Sequence, residues 1–380
     1  MIGIDFTWAD FCKDSTSSLA VFTCDLLDCI AEQNQQKNFV IITHPLEEKL
    51  LRKRFPTFRV YGIGGFALKA YHLLTRRKGI KFMKNHGIYD FLLYCHGIKH
   101  IWIPYFVPHN VYKIRTDYIG TCHDLMTVNK IDSTKNYKSM FEHAQKIVTI
   151  SNYVKSQIVD EYSVPAEKVI VIPNSIYISN DIIKMEEVPA LKNKEFLLDC
   201  NAYASRKNTL VMIKAFERIA QYVPEDLVLC GGYVLDDYYF NECTQYIKDH
   251  HLTNRVHVFL GIDEKQKNWL FQNCRAFITP SENEGFGRTP IEAALFLKPV
   301  ISSRATSLEE ATCGMVHYIE NPRDDKELAD VILNVLQNPD SPERLQQIKE
   351  TFRQKYSADK IVHEYIDVFR NLGWIDNGCM

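Results

Sequence analysis

Residues 276–311 read AFITPSENEGFGRTPIEAALFLKPVISSRATSLEEA, and this stretch decides the fold. Ala276 to Thr279 is an apolar run that ends in a loop of Ser, Asn, Glu and Gly. Pro290 opens a pattern with Ile291, Ala294, Leu295 and Leu297 at helical spacing, and Pro299 to Ser302 is a second apolar run. Strand, loop, helix, strand is one βαβ unit, with its loop at the carboxyl end of the first strand. Glu284 and Glu292 bracket Gly285-Phe286-Gly287. A glycine-bearing loop that runs into a helix presents backbone N–H groups at the helix N-terminus, where a phosphate is well held. A carboxylate beside a diphosphate repels it unless the acid is turned toward hydroxyl groups. The two acids around this loop therefore read as a site for a sugar nucleotide.

The Glu-x7-Glu spacing, the Gly-Phe-Gly between its ends, Pro290, Glu292-Ala293 and Pro299 to Ser303 resemble glycosyltransferase family 4. Further blocks extend the resemblance over nearly the whole chain. They are Thr121 to Leu125 (TCHDL), Ala144 to Ser151 (AQKIVTIS), Val169 to Asn174 (VIVIPN) and Ser205 to Asn208 (SRKN). The resemblance implies an α/β chain of GT-B fold: two facing Rossmann-like domains with parallel sheets and a cleft between them. It also implies a retaining enzyme that uses no metal or other cofactor. The expected layout is an acceptor-binding domain over 1–176 and a nucleotide-sugar domain over 177–357. A terminal helix within 358–380 would cross back to the first domain, and ADKIVHEYIDVFRNL (Ala358 to Leu372) has apolar positions at the right spacing for it.

Composition fits that size. The chain has 380 residues and is 46% hydrophobic, enough for two α/β domains. Its net charge of −2 excludes the simple nucleic-acid reading. Residues 1–180 hold 22 Lys+Arg against 16 Asp+Glu, and the remainder holds 23 against 31, so the first half is basic and the second acidic. Eleven cysteines are scattered without a C-x-x-C pair, which suggests a reducing compartment. No window reaches the roughly 18 apolar residues of a membrane span. MIGIDFTWAD lacks the basic n-region of a signal peptide, so a cytoplasmic location is expected.

Strands are expected at Met1 to Phe6, Phe39 to Thr43, Phe91 to Cys95, Tyr118 to Cys122 and Lys146 to Ile150. After an irregular linker over 174–195, a second series runs Phe196 to Cys200, Leu227 to Cys230, Val256 to Leu260, Ala276 to Thr279 and Val300 to Ser302. Helical patterns cover Leu19 to Ile30 and Asn208 to Ala220.

The resemblance assigns roles residue by residue. Glu284 would contact donor-sugar hydroxyls near the reacting carbon. Glu292 would accept from the ribose hydroxyls, and it also suits the helix dipole as a first-turn acid. Gly285, Phe286, Gly287, Arg288 and Thr289 would offer backbone N–H groups to phosphate and sugar. Arg288 stands where relatives have an aliphatic residue. It either adds charge to the phosphate or acceptor site or remains on the surface. Arg206 and Lys207 follow a strand and would stabilise the departing diphosphate, a task for cations when no metal is used. Relatives carry Gly-Arg five residues before the lysine; Asn201-Ala202 stands there in this chain, which puts more weight on Arg206. The base would lie near Phe259 to Ile262, at Leu260 and Gly261. His123 would meet the donor sugar. Asp124, His96 (read as following a strand) and Ser17, in a Thr-Ser-Ser loop that lacks the usual glycines, would line the acceptor side.

Other signals are weaker or exclude alternatives. No Asp-x-Asp occurs, and Asp236-Asp237 and Asp324-Asp325 read as solvated turns. Gly62-Ile63-Gly64-Gly65 lacks the third glycine and placed acid of a dinucleotide fingerprint. Residues 49–84 hold eleven Lys+Arg, no Asp or Glu, and interleaved aromatics. That composition favours docking on an anionic membrane face, here the inner face, beside a glycan or lipid-linked glycan acceptor. The function expected is hexose transfer from a nucleotide-diphosphate sugar, with GDP-mannose foremost, in surface polysaccharide synthesis. The alternatives are a catalytically silent nucleotide-sugar-binding scaffold of the same fold and a nucleotide-sugar epimerase.

Overall fold

The computed structural model describes residues 1–7, 18–63, 83–84, 86–105, 114–125, 131–176, 184–231 and 234–376. Two compact units are present. Unit 1 is Met1–Ser175 together with Tyr356–Met380, and unit 2 is Ile176–Lys355.

Unit 1 holds a seven-stranded parallel sheet. Its strands are β1 (Ile2–Asp5), β2 (Phe39–Thr43), β3 (Arg59–Gly62), β4 (His100–Ile103), β5 (Asp117–Cys122), β6 (Lys146–Thr149) and β7 (Val169–Val171). They lie in the order β3-β2-β1-β4-β5-β6-β7. Every described pairing is parallel, for example Ile4 with Ile41 of β2 and with Trp102 of β4. Parallel strands buried on both faces read as continuous apolar runs, which is why FVIIT of β2 carries no alternation and is buried throughout.

The helix Ala358–Asn371 belongs to unit 1. Ile361, Tyr365 and Phe369 pack with Ile2, Phe39 and Trp102 in one core cluster. Tyr365 lies 4.7 Å from the Trp102 ring, and Phe369 lies 5.8 Å from Phe39. Spacings of four residues put Ile361, Tyr365 and Phe369 on one helical stripe.

One expected strand is corrected. Phe91 to Cys95 lies in a helix, Ile88–Cys95, and the strand of that region is β4. A short apolar run does not distinguish a buried strand from a helix. Here Tyr89 and Leu93, four apart, are buried, while Phe91 and Tyr94 between and beyond them are 64% and 81% exposed. His96 therefore follows a helix, at its C-cap, and not a strand. It is exposed and stacks on Tyr61 at 4.3 Å. Strand β3 falls within the basic stretch 49–84, most of which lies outside the described residues.

Unit 2 holds a six-stranded parallel sheet of β8 (Phe196–Cys200), β9 (Asp226–Gly231), β10 (Val256–Leu260), β11 (Ala276–Thr279), β12 (Val300–Ser303) and β13 (His317–Ile319). The order is β10-β9-β8-β11-β12-β13. Leu197, Ile213, Phe216, Leu229, Ile278 and Ile332 belong to its core. Of the adjacent aspartates read as solvated turns, the first of each pair is a helix N-cap and the second opens the helix. Asp236 accepts from the Tyr239 N–H at 3.0 Å, and Asp324 from the N–H groups of Lys326 and Glu327 at 3.0 Å. A side-chain oxygen there satisfies donors that the first turn leaves unpaired.

Candidate functional site

Strand order in unit 2 reverses between β8 and β11, which are neighbours in the sheet although two strands separate them in the chain. Ligands of open α/β sheets bind at such a switch point, outside the carboxyl ends of the strands. The loop after β8 carries Arg206 and Lys207 in a 3-10 turn, Ser205–Lys207. The loop after β11 carries Glu284. The two loops meet.

Lys207 Nζ donates to Glu284 Oε1, and Arg206 Nη1 lies 3.6 Å from Glu284 Oε2. Arg206 Nη1 also donates to the Asn283 carbonyl at 2.9 Å, and the Glu282 N–H donates to the Arg206 carbonyl at 2.8 Å. Asn208, in the left-handed region at φ 55, turns the chain into the helix Thr209–Ile219. Its Nδ2 donates to the carbonyls of Pro280 and Pro322, both at 2.9 Å, tying the loops after β8, β11 and β13 together. Two cations thus converge on one carboxylate at the end of the sheet.

Gly287, at φ 95, is the N-cap of the helix Arg288–Leu295 and makes no side-chain cap. A Cβ at 287 would stand 2.6 Å from Leu308 Cδ2, so only glycine suits both the dihedral and the space. Phe286 is buried and anchors the loop. Arg288 and Thr289 contribute N–H groups to the first turn, whereas Pro290 has none.

Glu292 is buried, and both of its oxygens face cations. Arg288 Nε donates to Oε1 at 2.7 Å, and Lys267 Nζ lies 3.5 Å from Oε2. Burial acts to raise the Glu292 carboxyl, but Lys267 and Arg288 outweigh it and hold it below the ordinary glutamate value. Arg288, expected either at the phosphate or acceptor site or on the surface, is paired here with this carboxylate, a partner that neither alternative named. Sequence reasoning missed Lys267, because its helix, Glu264–Asn273, reads only as a polar surface helix. Leu260 is 48% exposed at the end of β10, and Gly261 follows at φ 71 with open space where a Cβ would project.

Beneath the Lys207–Glu284 pair lies a polar layer that the sequence did not announce. Asp199 on β8 is buried and accepts from Asn201 Nδ2. Burial pushes its carboxyl up to about 7, against the opposing pull of Asn201 and Lys207. The close approach of β9 depends on Gly231, where a Cβ would meet the Asn201 carbonyl at 2.5 Å.

The loop after β12 closes on Glu284 from the other side. The Glu284 N–H donates to Thr306 Oγ1 at 3.0 Å. The Glu284 carbonyl accepts from Thr306 Oγ1 at 3.1 Å and from Ser307 Oγ at 2.7 Å.

The remaining expected residues are in unit 1. His123 is buried at the end of β5, its ring edge-on to Phe22 at 5.2 Å. Burial pushes its pKa down to about 4, against the opposing effect of the Pro104 carbonyl, so the imidazole is neutral. Nε2 lies 3.0 Å from that carbonyl and must carry the proton, which leaves Nδ1 as an acceptor. Nδ1 is buried and has no hydrogen-bond partner among the described residues. The Asp124 carbonyl accepts from the Tyr137 hydroxyl at 2.9 Å. Ser17 lies outside the described residues. No group of three or more His, Cys, Asp or Glu placed to hold a metal occurs among the described residues.

Comparisons with known proteins agree with this architecture. The family described as Glycosyl transferases group 1 matches residues 181–352, and Glycosyltransferase Family 4 matches residues 20–179. The O-antigen chain mannosyltransferase RfbU of Salmonella typhimurium is 29% identical over 207 residues, covering 54% of this chain and 55% of that protein. The alpha-1,3/1,6-mannosyltransferase ALG2 of Dictyostelium discoideum is 24% identical over 285 residues, covering 68% of this chain and 63% of that protein. The match thus spans little more than half the length of these relatives. Among solved structures, Anabaena Alr3699/HepE in complex with UDP and glucose has a TM-score of 0.69 at 15% identity, covering 97% of this chain and 99% of that one. The sucrose-phosphate synthase of Thermosynechococcus elongatus has a TM-score of 0.71 at 16% identity, covering 98% of each chain. At such identities the likeness is one of fold, that of the GT-B glycosyltransferases with two Rossmann-like units.

Proposed function

The chain belongs to glycosyltransferase family 4, and we propose that it is a retaining hexosyltransferase acting without a metal. The observation that carries this reading is the convergence of Lys207 and Arg206 on Glu284 at the switch point of unit 2. As the bond between the anomeric carbon and the donor's β-phosphate oxygen breaks, charge gathers on the diphosphate. Lys207 offers it a point charge and Arg206 a planar fork. Glu284 accepts hydrogen bonds from the sugar hydroxyls near that carbon. The ribose diol binds Glu292, whose two oxygens retain lone pairs beyond those turned to Arg288 and Lys267. The base lies against Leu260 and Gly261, and the diphosphate on the Gly285–Thr289 backbone. The neutral His123 accepts a carbohydrate hydroxyl at Nδ1, the atom that otherwise lacks a donor among the described residues. Asp124 lies on the acceptor side. His96 has lost the strand-end placement on which the same role rested.

The donor is GDP-mannose and the acceptor a glycan or lipid-linked glycan in surface polysaccharide synthesis. The support is that RfbU and ALG2 are both named mannosyltransferases. No helix among the described residues is long and apolar enough to cross a membrane. The basic stretch 49–84 would hold the protein peripherally at the inner face, through attraction to anionic lipid. The test is a melt of the purified chain with GDP, UDP, dTDP or ADP, with and without EDTA, followed by transfer from the matching nucleotide sugar. A ligand that binds the native state raises the melting temperature. A rise with GDP alone, unchanged by EDTA, is expected. No rise with any nucleotide would overturn the proposal.

A further inference from the structure

We propose that Thr306 is a positioning residue for the Glu284 carboxylate, acting through the Glu284 main chain. This rests on the reading that Glu284 meets the donor sugar. The main-chain N–H and carbonyl of Glu284 both end on the loop after β12, the N–H on Thr306 Oγ1 and the carbonyl on Thr306 Oγ1 and Ser307 Oγ. One hydroxyl that both accepts and donates fixes the rotation of the peptide units on either side of Glu284. The carboxylate is then presented to Lys207 and Arg206 by the side chain's own rotamers alone.

The backbone at 306 makes the choice of residue informative. Thr306 lies at φ 56, in the left-handed region. A β-branched residue there is a rare and strained outlier, whereas glycine adopts that region without steric cost. The turn by itself asks for glycine, and what threonine adds is the hydroxyl. The strain is held in place because the flanking residues are anchored: Ser307 and Leu308 are fully buried. The Leu308 side chain also fills the space beside Gly287. The loop after β12 is thus seated against both ends of the Glu284–Gly287 segment. Thr306 touches no reacting atom in this scheme and works only by fixing a residue that does.

The test uses three substitutions in the full chain. Thr306→Gly removes the hydroxyl and relieves the dihedral, Thr306→Val removes the hydroxyl and keeps the branched shape, and Thr306→Ser keeps the hydroxyl. The readouts are kcat and KM for sugar release from GDP-mannose and UDP-glucose, Kd for GDP and UDP by calorimetry, the melting temperature, and a crystal structure of Thr306→Gly. The Gly and Val variants are expected to lose about 10- to 100-fold in kcat, the scale on which a small misplacement of a catalytic group acts. Donor KM and nucleotide Kd should stay within about threefold, as for an interaction made only in the transition state. Thr306→Ser should restore kcat. In the Thr306→Gly crystal the Glu284 carboxylate should leave Lys207. The proposal is overturned by unchanged kcat in Gly and Val, by a kcat loss that follows melting temperature and is not rescued by Ser, or by an unmoved Glu284–Lys207 pair. If the wild type releases sugar from neither donor, the transferase reading of Glu284 fails, and the crystal structure still decides whether Thr306 sets the pair.

Discussion

Glu284 and Lys207, 77 residues apart in the chain, form an ion pair whose side chains are only 12% and 10% exposed. A pair this shielded is screened far less than a surface salt bridge, and removing one partner leaves the other charged and poorly solvated.

Lys207→Ala and Glu284→Ala should each lower transfer by about 10²- to 10³-fold, the usual loss when a group that stabilises transition-state charge is removed. The two should differ in binding. Lys207→Ala weakens nucleoside diphosphate binding, whereas Glu284→Ala leaves it nearly intact because the carboxylate is assigned to the sugar. Calorimetry with GDP and UDP separates the two effects, and near-wild-type turnover in both variants would sink the site assignment.

Glu292→Gln should weaken nucleotide binding by about tenfold, or roughly 1.4 kcal/mol. Lys267→Met should have a smaller effect of the same sign, since Arg288 still holds one carboxylate oxygen. Affinities for GDP and GMP would check this, and a variant at 292 that binds as tightly as wild type would remove Glu292 from the ribose.

Asp199 sets a pH dependence of stability. Its carboxyl is pushed up to about 7 in the folded state against an ordinary 3.8. The folded protein therefore binds more protons than the unfolded chain between those values. The stability this group contributes is fully present below the lower value and is lost as pH rises through the upper one. The slope is at most about 1.4 kcal/mol per pH unit. Asp199→Asn keeps an acceptor for Asn201 and carries no titration, so its urea midpoint should fall less than that of wild type between about pH 5 and about pH 8. Parallel curves for the two proteins would contradict the burial argument.

Gly287→Ala places a Cβ 2.6 Å from Leu308 Cδ2 at a φ of 95. Strain and overpacking together should cost about 1–3 kcal/mol. Leu308→Ala removes the contact but not the dihedral and opens a cavity of its own, so a double-mutant cycle of thermal melts should show the double variant losing less than the sum of the two single losses.

Tyr365→Ala should destabilise unit 1 by about 3–5 kcal/mol, the range for truncating a large buried aromatic. The side chain is fully buried against Trp102. Hydrogen exchange resolved by segment should show the loss of protection in β1 and β4 and leave the strands of unit 2 unchanged.

Much of the fold was legible because parallel strands buried on both faces are written as short apolar runs. β2, β8, β10 and β11 lie where the runs lie. The terminal helix was legible from its stripe of Ile361, Tyr365 and Phe369. Ile88–Cys95 was misread because a run of apolar residues shorter than three helical turns fits either period. Only the burial of Tyr89 and Leu93 beside the exposed Phe91 and Tyr94 separates the two. β3, β7 and β13 were missed because each has only three or four residues, and β4 because the strand of its region was placed at 91–95.

The sequence by itself determined the βαβ unit at 276–303, the acids at its loop and the family to which they point, because these are local patterns within one crossover. Only the tertiary structure decided which side chains meet. Lys267 reaches Glu292, Thr306 holds Glu284, and Asp199 lies buried beneath them. Each comes from a different strand, from the loop after it or from the helix beyond that, and a parallel sheet gathers those ends at one edge from positions tens of residues apart. Such a meeting leaves no period and no spacing in the chain, and neither the burial of a carboxylate nor the sign of its pKa shift exists until the sheet has formed.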